Sequence, residues 1–306
     1  MRGASPSTLT ISHRSLTLGT DLSGRGLGSD HLRARELAKL FIKRHGARVV
    51  VDQIVEFINS RLDNPIKYLN GALEFSVSIL DTPDNPLPPR PYGLKGGAAR
   101  ERLVEALRVR SPRPPRDLDL IRRGSFKVKG DDLVAKQYMP RDYAHGARVE
   151  IISDTDRYLR SRDLTINEVA IFDNSASCSI LAALDSIGLI IRPSYYRGGS
   201  IHRQPSLDGR VLLKMARLAA EAARFGEPVM IVGIPDQVSF SDADLAIHLN
   251  KAFQRDEAVA AGFVSVLIQL GAIAASDQPL ADLISDLSYL NYGEKGLLSD
   301  LPDRYR

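Results

Sequence analysis

The sequence is poor in cysteine, in paired histidines and in apolar residues near its start, and each scarcity excludes a class of protein. Cys178 is the single cysteine among 306 residues, which excludes intramolecular disulfides, cysteine-rich zinc sites and iron–sulfur clusters. The six histidines form no His-x-x-x-His pair, so we expect no structural zinc. The first thirty residues hold no apolar stretch of the secretory type. Together these features predict a cytoplasmic protein.

The most apolar window covers residues 258–275 and is long enough to suggest a membrane span. It contains Ser265, Gln269 and two glycines, and acidic residues rather than Lys or Arg flank it. We therefore interpret it as a buried core helix and expect no membrane partner.

Basic and acidic residues are unevenly distributed, although the net charge of the whole chain is only +4. Residues 1–50 hold nine Lys or Arg and three Asp or Glu, and residues 90–148 hold fifteen and seven. Residues 225–306 instead hold five Lys or Arg and twelve Asp or Glu. The two basic regions suit phosphates or nucleic acid, and a merely solvated surface is the alternative interpretation.

Composition and hydrophobic periodicity divide the chain into five predicted segments. These are a flexible arm at 1–30, a helical N-terminal region at 31–82, a proline-rich linker at 83–91, a mixed domain of helices and strands at 92–200, and a helical region with an acidic end at 201–306. The N-terminal region is expected to hold three helices, of which the third starts at Asn64-Pro65 and ends near Ile79.

After the proline-rich linker, a period of two replaces the helical period and indicates strands. A helix is predicted at 98–109, and strands are predicted at 117–121 and 148–151. Two further strands flank the turn signal Asp173-Asn174, and helical periodicity returns at Leu207. The predicted fold class is therefore α+β, with a small mixed sheet flanked in the sequence by an N-terminal and a C-terminal helical region.

A glycine pair precedes the helix predicted at 98–109. Gly96 and Gly97 allow the backbone to approach a ligand closely, and the free N–H groups of a helix N-terminus attract an anion. Arg100 follows within about one turn, where it could add a charge-assisted bond to a phosphate. The alternative is an ordinary turn. No Gly-Lys-Ser or Gly-Lys-Thr follows, so this is not a Walker A loop.

Two aspartates alternate with leucines on the first predicted strand. Asp117 and Asp119 are two residues apart, so their carboxylates point to the same side of the sheet. Paired carboxylates on a rigid strand suit Mg²⁺, which also binds the phosphate oxygens of a substrate. A solvated edge strand is the alternative, but aspartate is disfavoured in strands and two of them suggest a site.

Arg162 and Asp163 offer a forked donor and an acceptor beside a segment that enters a strand. Taken alone, they are better explained by a local salt bridge and a capping aspartate than by contacts with a nucleotide.

The order of these motifs resembles that of a known enzyme family. The matched segments are Gly96-Gly97-Ala98-Ala99-Arg100-Glu101, then Asp117-Leu118-Asp119, then Ser161-Arg162-Asp163-Leu164-Thr165-Ile166-Asn167, and last the helix at 207–220. Together they resemble the head and neck of the class II CCA-adding enzymes and bacterial poly(A) polymerases, which are DNA polymerase β-like nucleotidyltransferases. The resemblance runs from Gly93 to about Arg224.

The resemblance implies an ATP-binding or other NTP-binding, magnesium-dependent transferase that moves NMP from an NTP to an acceptor hydroxyl, most plausibly at the 3′ end of a tRNA. It implies Asp117 and Asp119 as catalytic residues and metal ligands, and Glu150 as a candidate third carboxylate. The nucleotide-binding residues that it implies are Gly96, Gly97, Arg100, Arg162, Asp163, Asp208 and Arg217. Asn167 is expected to be structural.

This sequence departs from the family in the neck helix and beyond it. Leu207 and Val211 replace the Glu and Arg that read the base in the family, so we expect altered base selection. An acidic C-terminal region replaces the part of the family that grips tRNA, and a −7 segment repels an RNA backbone. The alternatives are NMP transfer to a small molecule or protein, and a non-catalytic nucleotide-binding or RNA-binding protein.

The basic N-terminal region and the head domain are the surfaces left for RNA. Arg35, Lys39 and Lys43 are spaced by four on a predicted helix and therefore share a face, which we expect to point outward. Docking of this face on the acidic C-terminal region is the alternative.

Overall fold

The computed structural model of the chain describes residues 9–10, 16–18, 28–77, 88, 90–115, 119–124, 135–138, 148–152, 154–194, 205–234 and 237–274. The helices within these ranges are α1 (Ser29–Lys43), α2 (Arg48–Asn59), α3 (Gly96–Ala106), α4 (Thr155–Arg160), α5 (Ile180–Gly188), α6 (Pro205–Arg224), α7 (Asp242–Phe253) and α8 (Glu257–Gln269). The strands are β1 (Leu9–Thr10), β2 (Leu16–Leu18), β3 (Lys67–Leu69), β4 (Ala72–Ser76), β5 (Tyr92–Leu94), β6 (Leu120–Arg123), β7 (Ala135–Tyr138), β8 (Arg148–Ile152), β9 (Val169–Phe172), β10 (Ser175–Ser179), β11 (Ile190–Ile191), β12 (Val229–Ile231) and β13 (Gln237–Val238). A short 3₁₀ turn covers Thr165–Asn167.

The chain folds as two compact units. We call residues 27–190 with 194–197 the sheet unit, and residues 1–26, 191–193 and 198–306 the C-terminal unit. Residues on both sides of the proline-rich segment thus belong to the sheet unit, and the division of the chain lies near residues 191–197 instead.

The sheet unit is built on a mixed sheet whose described strands run in the order β3-β4-β10-β9-β5-β6-β8-β7. Neighbouring strands are antiparallel except β6 and β8, which are parallel and pair Leu120 with Val149 and Ile121 with Glu150. A mixed sheet flanked by helices confirms the predicted α+β class.

The two faces of this sheet carry different environments. Leu120 and Val149 face a large core that α1, α2, α3 and α5 complete, and a fully buried leucine there stabilises the fold by roughly 1.5–3 kcal/mol. Ile121 and Ile152 face the other side, where they join a smaller cluster with Tyr158 of α4. Because side chains alternate along a strand, the polar residues next to these positions lie on the less crowded face.

The third predicted helix of the N-terminal region is wrong. Residues 67–76 instead form the hairpin of β3 and β4, in which Leu69 pairs with Ala72. Asn70 and Gly71 both have positive φ angles, of 51° and 87°, as a two-residue primed turn requires. Asn-Gly is the strongest short hairpin signal, and it outweighs the helical spacing of the apolar residues around it.

Part of the predicted flexible arm is ordered into strands. In the C-terminal unit, β1 pairs with β13 and β2 pairs with β12. The partners lie more than 200 residues away in the sequence, so local composition carries no sign of this pairing. The rest of residues 1–27 lies outside the described residues.

In the C-terminal unit, α6 packs against α7 and α8. The apolar window at 258–275 is confirmed as a core helix, since Val259, Phe263 and Leu267 of α8 are buried. Within the described ranges, no helix combines the length and the apolar character that crossing a membrane requires.

The predicted basic face of α1 is wrong at one position. Arg35 is buried, and its Nε donates to the carbonyl oxygen of Gly188 at the end of α5, 2.7 Å away. Lys39 and Lys43 are exposed. The face therefore loses its first cation, because α1 packs on α5 with Arg35 turned inward.

Candidate active site

The N-terminus of α3 lies against the carboxylate of Asp119. The backbone N–H of Lys95 donates to the carbonyl oxygen of Asp119 at 3.0 Å, so the helix begins directly beside the start of β6. Gly96 has a φ of 60°, and a Cβ atom placed there would meet Oδ2 of Asp119 at 2.7 Å. Glycine is needed both for the backbone conformation and for the space.

The first turn of α3 presents backbone donors at this point. The first N–H groups of an α-helix have no partner within the helix, and the side chain of the N-cap residue Lys95 does not cap them here. The aligned peptide dipoles add a partial positive charge. The predicted glycine pair therefore lies at a helix terminus of the kind that attracts anions, with the Asp119 carboxylate beside it.

The register of β6 and β8 brings a second carboxylate to the same face of the sheet. Asp119 is two residues from Ile121, and Ile121 is paired with Glu150, so Asp119 and Glu150 share one side. The Asp119 side chain is 40% exposed, whereas that of Glu150 is 13% exposed. Asp119 is thus the accessible carboxylate and Glu150 the enclosed one.

Lys95, which is not among the sequence-predicted site residues, lies between these two acids. Nζ of Lys95 is 3.0 Å from Oε1 of Glu150 and 3.6 Å from Oδ1 of Asp119. The lysine side chain is only 11% exposed. Its signal in the sequence is its position directly before Gly96-Gly97, but its partners are visible only once β6 and β8 are paired.

Arg162 reaches the same cluster from the end of α4. Its guanidinium stacks 4.1 Å from the ring centroid of Tyr158, and its NH1 lies 3.5 Å from Oε2 of Glu150. The Tyr158 side chain is buried, and its hydroxyl has no hydrogen-bond partner among the described residues. Burial raises the pKa of that hydroxyl, so it stays protonated.

Asn167 connects Arg100 of α3 with Asp163, which lies four residues before it in the chain. It accepts from NH1 of Arg100 at 3.2 Å, and its Nδ2 donates to Oδ1 of Asp163 at 3.0 Å. The same Asp163 oxygen accepts from the backbone N–H of Leu164 at 2.9 Å. Asp163 and Asn167 therefore bond to each other within this segment, and a nucleotide contact of Asp163 stays a prediction.

Glu101 anchors the chain that leads from α3 towards Asp119. The Arg110 guanidinium donates to both of its carboxylate oxygens, at 2.6 and 3.0 Å, and the backbone N–H of Arg113 adds a third bond at 2.9 Å. Burial alone would raise the pKa of Glu101, but the hydrogen bonds and charges of these arginines and of Arg100 hold that pKa below its ordinary value.

Three sequence candidates remain, and the described sheet unit contains none of them. Asp117 falls outside the described residues. Asp208 and Arg217 belong to α6 in the C-terminal unit, where Arg217 forms a buried ion pair with Glu221. Val211 is buried in the packing face of that helix, so its side chain offers no surface for reading a base.

The donor chemistry of the site fits Mg²⁺. Carboxylate oxygens of Asp119 and Glu150 are hard ligands of the kind that Mg²⁺ prefers, and it completes its shell with water and substrate phosphate. The space that a Cβ at Gly96 would fill adjoins Asp119. No group of three or more acidic, histidine or cysteine side chains within the described part of the chain forms a complete metal cage. The residues present therefore suit a cation shared with a phosphate.

No protein-family profile matches the chain, and no curated protein matches it. Among solved structures, it is similar to a CCA-adding enzyme in complex with ATP, with a TM-score of 0.36 and 15% identity over 70% of this chain and 55% of the other. It is also similar to a CCA-adding enzyme in complex with CTP, with a TM-score of 0.35 and 14% identity over 67% of this chain and 56% of the other. The chain spans a little over half the length of these two structures. The likeness is a distant one of fold.

Proposed function

We propose that this protein is a Mg²⁺-dependent nucleotidyltransferase that uses an NTP. The observation that carries the proposal is the contact between Gly96 and Asp119, which sets an anion-binding helix terminus beside an accessible carboxylate. Phosphoryl and nucleotidyl transfer require this combination of phosphate donors and a metal-ligating acid. The sequence motifs that resemble the nucleotidyltransferase head support the same assignment.

The cationic residues of the site would bind the polyphosphate. The backbone N–H groups of Gly96 and Gly97 donate to phosphate oxygens. Arg100, in the next turn of α3, is held in place by its bond to Asn167. Arg162 is fixed by Tyr158 and Glu150 and contributes a second guanidinium near the acids. Asp208 and Arg217 are proposed nucleotide contacts on the resemblance alone.

In the proposed reaction, an acceptor hydroxyl oxygen attacks the α-phosphorus. A new P–O bond forms, the bond from the α-phosphorus to the bridging oxygen breaks, pyrophosphate leaves, and the proton of the attacking hydroxyl passes to solvent water. Asp119 would hold Mg²⁺ together with Asp117, and the cation when bound stabilises charge on the phosphate and lowers the pKa of the attacking hydroxyl. Glu150 is the proposed third carboxylate at the cation, and it also pairs with Lys95 and Arg162.

The proposed acceptor is the 3′ end of an RNA, most plausibly a tRNA. The exposed cations of α1, its C-cap and α2 are the proposed RNA-binding residues of the sheet unit; they are Arg33, Lys39, Lys43, Arg44 and Arg48. Phosphate backbones bind such cations. Because Val211 is buried and cannot pair with a base edge, we propose that base selection differs from that of CCA-adding enzymes.

The proposal is tested by incubating the protein with each of the four α-labelled NTPs, Mg²⁺ and total tRNA, and locating the label. Label on RNA supports the proposal in full. Label on the protein or on a small molecule would support nucleotidyl transfer but would contradict RNA as the acceptor. Nucleotide binding without any transfer would contradict catalysis, and ordered addition of C, C and A would contradict the altered base selection.

A further inference from the structure

The closest charge contacts of Asp119 and Glu150 in the described structure involve a cation that the protein supplies itself. Lys95 approaches both acids, and its ion pair with Glu150 is among the more enclosed of the sheet unit, with side chains 11% and 13% exposed. An ammonium in that position neutralises the charge that would attract a divalent cation. The ammonium therefore offsets part of the repulsion between the two carboxylates in the absence of metal.

The same lysine is the residue that precedes the glycine pair. Lys95 is the N-cap of α3, in extended conformation, so its backbone adjoins the helix terminus that would bind phosphate. Of its two partners, Asp119 is the more distant and the more exposed, whereas Glu150 is nearer and enclosed. A polyphosphate at the helix terminus would offer the ammonium a third partner.

We infer that Lys95 is an internal counter-cation that excludes a free divalent cation from Asp119 and Glu150 and turns to a polyphosphate when one binds. The inference rests on the proposed function and adds a dependence of metal binding on nucleotide binding. Linkage is reciprocal, so nucleotide would raise the affinity for metal by the same factor by which metal raises the affinity for nucleotide.

Replacing the ammonium with an apolar side chain of similar length tests the inference without measuring catalysis. We expect Lys95→Met to bind free Mn²⁺ at least about tenfold more tightly than the wild type in the absence of nucleotide, followed by the Mn²⁺ electron paramagnetic resonance signal. Lys95→Arg keeps the positive charge and should bind Mn²⁺ as the wild type does. Lys39→Met is the matched control, because Lys39 forms an exposed pair with Glu36.

Stability gives a second readout if Lys95→Met folds poorly without metal. Its acids then lack the Lys95 ammonium, and Arg162 near Glu150 remains as their cation, so Mn²⁺ should raise its melting temperature more than that of the wild type. Inorganic tripolyphosphate in metal-free buffer should bind the wild type more tightly than Lys95→Met, since the variant lacks the ammonium.

The outcomes separate the inference from the proposed function. Equal Mn²⁺ affinity of the wild type and Lys95→Met, with NTP-dependent transfer intact, would overturn the inference alone. Absence of Mn²⁺ binding from both proteins, with or without ATP, would overturn the proposed function and the inference with it. Equal affinity of the two proteins for tripolyphosphate would overturn the inference that Lys95 turns from the carboxylates to a polyphosphate.

Discussion

NH1 of Arg100 donates to Oδ1 of Asn167 across 67 residues of sequence, at 3.2 Å. This bond ties the first turns of α3 to the 3₁₀ turn at Thr165–Asn167, so the arginine is held before any ligand arrives. Pre-positioning of a phosphate-binding side chain reduces the entropy lost on binding. Under the proposed function, this bond gives the buried Asn167 a role in nucleotide binding as well as a structural one.

Removing the Asn167 amide should affect both stability and nucleotide affinity. Asn167→Ala leaves Arg100 without this acceptor and Asp163 without one donor, and we expect it to destabilise the fold by about 1–3 kcal/mol. NTP affinity should fall, and Arg100→Ala should cost less in the Asn167→Ala background than in the wild type. Titration calorimetry of the double-mutant cycle measures this, with exposed Asn174→Ala as control. Additive losses would contradict the coupling.

The two glycines before α3 should tolerate alanine differently. Gly96→Ala introduces a Cβ that meets Oδ2 of Asp119 and a φ of 60° that costs about 1–2 kcal/mol for an L residue. We expect it to displace the carboxylate and lower transfer strongly. Gly97→Ala is the matched control, because its nearest neighbour is NH2 of Arg100 at 4.0 Å. Similar transfer rates of the two variants would contradict the assignment of the Gly96–Asp119 contact to the active site.

Stability should depend on pH through His248 of α7. Burial, with the charges of Arg217, Lys251 and Lys214, holds the pKa of His248 at about 3, below its ordinary value of 6.5. The folded protein thus disfavours the protonated form, so stability is full above pH 6.5 and falls as the pH drops from 6.5 towards 3. The loss should reach up to about 1.4 kcal/mol per pH unit.

Chemical denaturation of the wild type and of His248→Phe between pH 7 and 4 measures this contribution. We expect the difference in unfolding free energy between the two proteins to shift in favour of the variant as the pH falls. A pH-independent difference would show that His248 titrates normally in the folded state.

RNA binding should depend on the exposed cations of α1. Phosphate contacts release counterions, so binding weakens steeply as salt rises, and Lys39→Glu with Lys43→Glu should lower RNA affinity and flatten that slope. NTP affinity should not change. Lys67→Glu, an exposed reversal on β3, is the control. Unchanged RNA affinity with a lower melting temperature would indicate that α1 contacts an acidic surface of the same chain instead.

Local patterns predicted the parts of the fold that local interactions decide. The hairpin at Asp173-Asn174, the helix after Gly97 and the core helix at the apolar window are all confirmed, because periodicity and turn chemistry act over a few residues. The hairpin at Asn70-Gly71 replaces the helix predicted from Asn64-Pro65, although its turn signal is local.

Tertiary context decides the remainder. The helical spacing of Arg35 matches that of Lys39, and only the packing of α1 on α5 shows that its guanidinium turns inward. The pairing of Lys95 with Glu150 depends on the parallel register of β6 and β8, which no spacing in the sequence reveals. The sequence therefore shows which residues are cationic, but only the tertiary structure shows which of these cations are buried.

The most direct test of the account is the rate at which labelled NMP is transferred by Asp119→Asn. This change keeps the size of the side chain and removes the accessible carboxylate of the site. We predict that the folded variant loses at least about a hundredfold of the wild-type rate, as the several kcal/mol of charge stabilisation from a bound metal imply. Asp173→Asn, an exposed residue of the β9–β10 turn paired with Arg90, should transfer label at the wild-type rate. Wild-type transfer by Asp119→Asn would contradict the assignment of this carboxylate, and with it the proposed active site.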